Sequence, residues 1–78
     1  MTARVTMYTR EGCHLCDDAL EVVAAVCEAS GSDYQLVDID NDPELRERYG
    51  EQVPVVTVDG ATVGFWRIDQ GVLTQALA

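Results

Sequence analysis

A short strand pattern that runs through Gly12 into Cys13-His14-Leu15-Cys16 and then into a long amphipathic helix is the feature that most constrains this chain. From Ala3 to Thr9, Val5 and Met7 alternate with Arg4, Thr6 and Tyr8, and the β-branched and aromatic content is that of a strand. Thr9-Arg10-Glu11-Gly12 reads as a loop. From Cys13 to about Ala29, the positions Cys16, Ala19, Leu20, Val23, Ala24, Val26 and Cys27 fall on one helical face, with His14, Asp17, Asp18, Glu21 and Glu28 on the other. Such a helix covers a sheet.

Two thiols spaced C-x-x-C on an opening helical turn are close enough to join as a disulfide with little backbone movement. Cys13 stands at the helix N-terminus, where unpaired N–H groups and aligned peptide dipoles favour a thiolate. Glu11, Asp17 and Asp18 place negative charge nearby, so the expected lowering of the Cys13 pKa is modest. His14 reads either as a proton carrier beside the thiols or as a solvent-facing residue of the first turn. A structural zinc site needs four ligands, and beyond Cys13, His14 and Cys16 the chain has no second C-x-x-C and no histidine pair, so no metal is expected. Cys27 lies about 16 Å beyond Cys16 along the helix axis at 1.5 Å per residue and reads as a buried core thiol.

Downstream, Ser30-Gly31-Ser32 ends the helix, with Gly31 as the left-handed terminator. Tyr34 to Ile39 is a second strand, and the helical crossover favours a parallel pairing with the first. Asp42-Pro43-Glu44 starts a short helix that stops at Tyr49-Gly50. Val53 to Val58 is the most strand-like run, Asp59-Gly60 is a two-residue hairpin turn, and Ala61 to Trp66 returns. A helix from about Asp69 to Leu77 closes the order β-α-β-α-β-β-α.

At 78 residues, positions 1–78 are expected to form a single domain with one core. Fourteen acidic residues against five arginines give a net charge of -9, and the arginines are scattered, which argues against nucleic acid as a ligand. An acidic surface suits solubility or docking to a basic partner. The first residues carry no leader-like apolar segment and no run is long enough to span a bilayer, so the expectation is a cytoplasmic monomer that does not engage membranes. In that compartment a C-x-x-C pair is catalytic or metal-binding more often than structural.

With these elements in place, the chain resembles the glutaredoxin branch of the thioredoxin fold over essentially its whole length. The stretches Tyr8–Ala19, Val37–Asp40 and Tyr49–Val55 are similar to small uncharacterised bacterial glutaredoxin-like proteins. The resemblance implies a mixed four-stranded sheet with helices on both faces, an α/β fold. It implies Cys13 as attacking thiol, Cys16 as resolving thiol, Pro54 as a cis-proline beside them, and the Val53 backbone as a pairing edge for an extended substrate. Arg10 takes the place of a lysine that often precedes the motif and reads either as a partner for a carboxylate of glutathione or of a partner protein, or as a plain surface charge.

The chain departs from the usual pattern at His14-Leu15, which replace the proline and tyrosine of C-P-Y-C. Of a Gly-Gly pair that holds glutathione only Gly64 remains, and Phe65 and Trp66 follow it. Gly64-Phe65-Trp66-Arg67-Ile68-Asp69 is similar, with one residue inserted, to the Gly-Phe-Arg-Pro-Asp segment of redoxins that serve ribonucleotide reductase. Phe65 and Trp66 read as core or edge packing at a strand end or, if exposed, as an interaction surface beside the active site.

Together these readings point to a dithiol-disulfide oxidoreductase with Cys13 and Cys16 catalytic and Val53, Pro54, Arg10, His14, Leu15 and Gly64 around the substrate. Its partners would be a disulfide-containing protein or a glutathione mixed disulfide. No resident cofactor is required, and glutathione, as co-substrate, or a flavoprotein reductase would return the electrons. The competing reading is a thioredoxin-fold binding module that docks a partner at the Val53-Pro54 edge or the Phe65-Trp66 region, with cysteines that are vestigial or hold a metal.

Overall fold

The computed structural model describes residues 3–78. Met1 and Thr2, part of the N-terminus read above as leader-free, lie outside the described residues. Strand β1 (Val5–Thr9) leads into helix α1 (His14–Ser30), and β2 (Tyr34–Asp38) follows. A short 3-10 turn (Ile39–Asn41) precedes α2 (Pro43–Tyr49), then β3 (Val55–Val58), β4 (Ala61–Phe65) and α3 (Gln70–Leu77). Among the described residues no helix is long and apolar enough to cross a membrane.

The four strands form one mixed sheet in the order β2-β1-β3-β4. β1 pairs parallel with β2 and antiparallel with β3, and β3 pairs antiparallel with β4. Alternation in β1 does what its residue pattern demands. Val5 and Met7 are buried in the core with Val56 and Val58, beneath Ala19, Val23, Val26 and Cys27 of α1 and Leu73 and Leu77 of α3. On the opposite face the Tyr8 ring stacks on Tyr49 of α2, centroids 4.6 Å apart, so helices do flank both sides. That second face is more thinly covered, because α2 has no fully buried residue.

The chain's stops follow local chemistry. Gly31 caps α1 at φ 71°, and Asp42 caps α2 by accepting the Glu44 N–H at 2.9 Å, with Pro43 at the helix start. Asp59 and Gly60 both have positive φ, 52° and 88°, the geometry of a type I′ hairpin. The Arg4 guanidinium clasps the Asp59 carboxylate at 3.0 Å, which raises the Arg4 pKa and lowers that of Asp59.

Several sequence boundaries shift, each for a visible reason. Ile39 leaves the strand because the Asp38 carboxylate accepts the Asp40 N–H and winds the chain into the 3-10 turn, burying Ile39 completely. β3 starts at Val55 rather than Val53, since the Val53 N–H turns back to the Tyr49 carbonyl and Pro54 has no N–H to pair. β4 stops at Phe65 because Trp66 adopts φ 62°. Gly50 ends α2 with right-handed angles, not the left-handed stop of Gly31; a Cβ there would stand 2.5 Å from the Arg46 carbonyl oxygen, so close approach is what demands glycine.

Candidate active site

The parallel β1–β2 pairing and the antiparallel β1–β3 pairing aim the end of β1 and the start of β3 at the same rim of the sheet. The loop after β1 therefore delivers Cys13 beside the segment that enters β3. Cys13 is the residue that caps α1: extended in backbone, it accepts the Cys16 N–H on its sulfur at 3.2 Å. Across from it the peptide bond between Val53 and Pro54 is cis, and the Val53 carbonyl oxygen lies 4.0 Å from the Cys13 sulfur. Cys13 is half-buried, Cys16 and Cys27 are buried, and all three are free thiols.

Burial pushes the Cys13 thiol above the ordinary cysteine range, and the neighbouring Cys16 side chain adds to the rise. The backbone N–H groups of Cys16 and Leu15 pull the other way. The balance is upward, the reverse of the modest lowering expected from the helix terminus alone. Desolvation of a half-covered sulfur, paired with a second thiol, outweighs two backbone donors. Cys27, packed among core aliphatics, is also raised, first by burial and then by Asp33.

The remaining sequence candidates divide. Leu15 is half-buried beside Cys13, while His14 points to solvent next to Glu11 and Asp17 around a shallow hollow of about 260 Å³. The Val53 carbonyl faces the sulfur, but its N–H already donates to Tyr49 at 3.1 Å. Arg10 is held between the Asp40 carboxylate at 3.2 Å and the Gly50 carbonyl at 3.5 Å. Gly64 lies inside the β4 ladder opposite Val56 and against Ile68, two residues short of the mouth.

A cleft beside the Gly50–Gln52 segment that leads into Val53 is lined by arginines not singled out in the sequence. Arg46 and Arg48 join Arg10 and Trp66 around a polar cleft of about 590 Å³, so three of the five arginines of an acidic chain gather there. The i, i+2 arginines just before Gly50 were the available signal. Of the two readings of Phe65 and Trp66, the exposed one holds: they are 47% and 52% exposed. Trp66 sits at a left-handed turn immediately after β4. Among the described residues no three His, Cys, Asp or Glu side chains gather as a metal-ligating group.

Comparison with known proteins agrees with this geometry. The chain is 32% identical over 72 residues to Uncharacterized protein Rv0508 of Mycobacterium tuberculosis, a match spanning 86% of this chain and 74% of that protein. The crystal structure of the structural-genomics target XcR50 from X. campestris superposes with a TM-score of 0.76 at 34% identity, covering 94% of this chain and 93% of the other. Glutaredoxin C1 from Populus tremula x tremuloides shares the fold, with a TM-score of 0.55 at 18% identity over 94% of this chain and 72% of its own. Residues 4–78 match the glutaredoxin-like domain family (DUF836), and the chain belongs to that family.

Proposed function

We propose that this protein is a dithiol-disulfide oxidoreductase in which Cys13 attacks a substrate disulfide and Cys16 resolves the mixed disulfide. The observation that carries this reading is the placement of Cys13 as the cap of α1, its sulfur held by the Cys16 N–H at 3.2 Å and facing the carbonyl next to Pro54. Exchange needs an accessible first sulfur and a second thiol within reach of it, and Cys13 half-exposed above buried Cys16 supplies both.

The substrate is a protein disulfide or a glutathione mixed disulfide, approaching along the Val53–Pro54 segment. The cleft lined by Arg46 and Arg48, with Glu47 and Glu51 beside them and Arg10 paired to Asp40, offers the substrate's carboxylates a partner. Glutathione or a flavoprotein reductase regenerates the dithiol, and no resident cofactor takes part. The chemistry belongs to the cytoplasm, where such reductants are abundant.

Two variants test the reading. Cys16→Ser should accumulate a covalent adduct between Cys13 and disulfide substrates, detected by mass spectrometry without reductant. Cys13→Ser should form none and lose turnover. A Cys13→Ser protein that still reduces disulfides at the native rate excludes the assignment.

A further inference from the structure

Trp66 follows β4 with φ 62°, in the left-handed region that bulky side chains rarely occupy. Three hydrogen bonds hold it there. Its backbone N–H donates to Pro54 at 2.9 Å and to Gln52 at 3.3 Å, and the indole Nε1–H donates to the Glu51 carbonyl at 2.8 Å. The carbonyls of Glu51, Gln52 and Pro54 are thereby occupied, and the Val53 N–H is committed to Tyr49. In the segment opposite Cys13 the Val53 carbonyl, in weak contact with the thiol, is the backbone group left facing the sulfur.

What this rim presents is apolar. The indole is half exposed, Phe65 meets it edge-on with centroids 5.2 Å apart, and Leu15 stands across a groove of about 340 Å³ whose remaining wall is Arg67. Leu15 stands two residues after Cys13 on the first turn of α1, and Trp66 is hydrogen-bonded to Pro54, whose neighbour Val53 faces the Cys13 sulfur. Both walls of the groove thus belong to the segments that flank the reactive atom. A substrate joined to Cys13 is tethered near it, where an adjoining side chain enters at high effective concentration.

We infer that the groove of Leu15, Phe65 and Trp66 takes an apolar side chain adjacent to the disulfide-bonded cysteine of a polypeptide substrate, with Trp66 setting the preference. This rests on the oxidoreductase reading above and names its substrate class. Arg67 adds attraction for an acidic residue in the same segment. A small polar disulfide gains nothing from the groove.

In the reaction the Cys13 thiol loses its proton and its sulfur attacks one sulfur of the substrate disulfide. The S–S bond breaks, and the departing half leaves as a thiolate that takes up a proton. The Cys16 thiol, deprotonated in turn, attacks the Cys13 sulfur and expels the second half, which is likewise protonated. Two thiols of the protein have become a Cys13–Cys16 disulfide and the substrate disulfide two thiols, so one turnover needs no other reductant.

The test uses pre-reduced protein, freed of reductant, and two symmetrical peptide disulfides differing only in the residue after cysteine, Phe or Ser. Release of peptide thiol in a single turnover is followed by acid quench and chromatography. The native protein should reduce the Phe peptide about tenfold faster than the Ser peptide. Trp66→Gly, which suits the backbone at φ 62°, should bring that ratio below about twofold. Leu15→Ala, on the opposite wall, should lower it in the same direction and stands in if Trp66→Gly fails to fold. Equal rates for the two peptides, or a ratio preserved in the folded variants, overturns the groove assignment while leaving the redox reading in place. Failure to reduce either peptide or hydroxyethyl disulfide overturns the redox reading and the groove with it.

Discussion

The Val53 carbonyl oxygen and the Cys13 sulfur face each other at 4.0 Å, a separation at which the thiol S–H donates weakly to the carbonyl. Ionisation of Cys13 would set a thiolate against that oxygen. This contact adds nothing to thiolate stability, in keeping with the upward shift of Cys13.

Reactivity of the reduced protein should therefore be low at neutral pH. An ordinary thiol, with a pKa of about 8.5, is only a few per cent ionised at pH 7, and Cys13 should be less so. Iodoacetamide alkylation of Cys13, followed by peptide mass spectrometry, should be slower than that of a free cysteine peptide at pH 7 and rise about tenfold per pH unit to beyond pH 8.5. A midpoint below about 8.5 contradicts the shift.

Cys27 carries a consequence for stability. Its folded pKa lies above the unfolded value of about 8.5, so the folded state favours the neutral thiol. The associated stability is fully present below pH 8.5 and is lost as pH rises through the folded pKa. Urea midpoints should fall above pH 8.5, and Cys27→Ala should flatten part of that fall.

Trp66 should invert the usual ranking of glycine and alanine. At φ 62° an alanine keeps the left-handed penalty of roughly 1–2 kcal/mol, whereas glycine does not. Trp66→Gly should be more stable than Trp66→Ala by about 1 kcal/mol in urea denaturation monitored by far-ultraviolet circular dichroism. The reverse order means that the backbone relaxes elsewhere.

Leu73 is the anchor of α3, fully buried in the core it shares with α1 and the sheet. Leu73→Ala should cost about 2–5 kcal/mol. A domain of this size holds about 4–12 kcal/mol in total. Thermal scanning should show a Tm at least about 10 °C lower.

Much of the architecture was legible because its signals are local. The alternation in Val5–Thr9, the apolar face of α1, the Asp42-Pro43 start and the Asp59-Gly60 turn each specify a conformation within a few residues, and all are observed. The site was legible at Cys13, Cys16 and the cis bond before Pro54. What escaped depends on contacts distant in the chain. Trp66 stayed open between packing and surface because its φ of 62° is held by hydrogen bonds to residues 51–54, not by its neighbours. The sign of the Cys13 shift depends on burial by the packed domain, which no spacing reveals. Leu36, apolar in a strand pattern, is 48% exposed because β2 is the outermost strand.

The register of β1 against β3 sets Val5 opposite Val58 and Tyr8 opposite Val55, so the Asp59-Gly60 tip projects from the end of the sheet remote from Cys13. That gives the molecule a natural handle. A dye, an affinity tag or a surface linker attached at the tip would leave the sulfur face open, allowing the protein to be immobilised as bait for whatever disulfides it encounters.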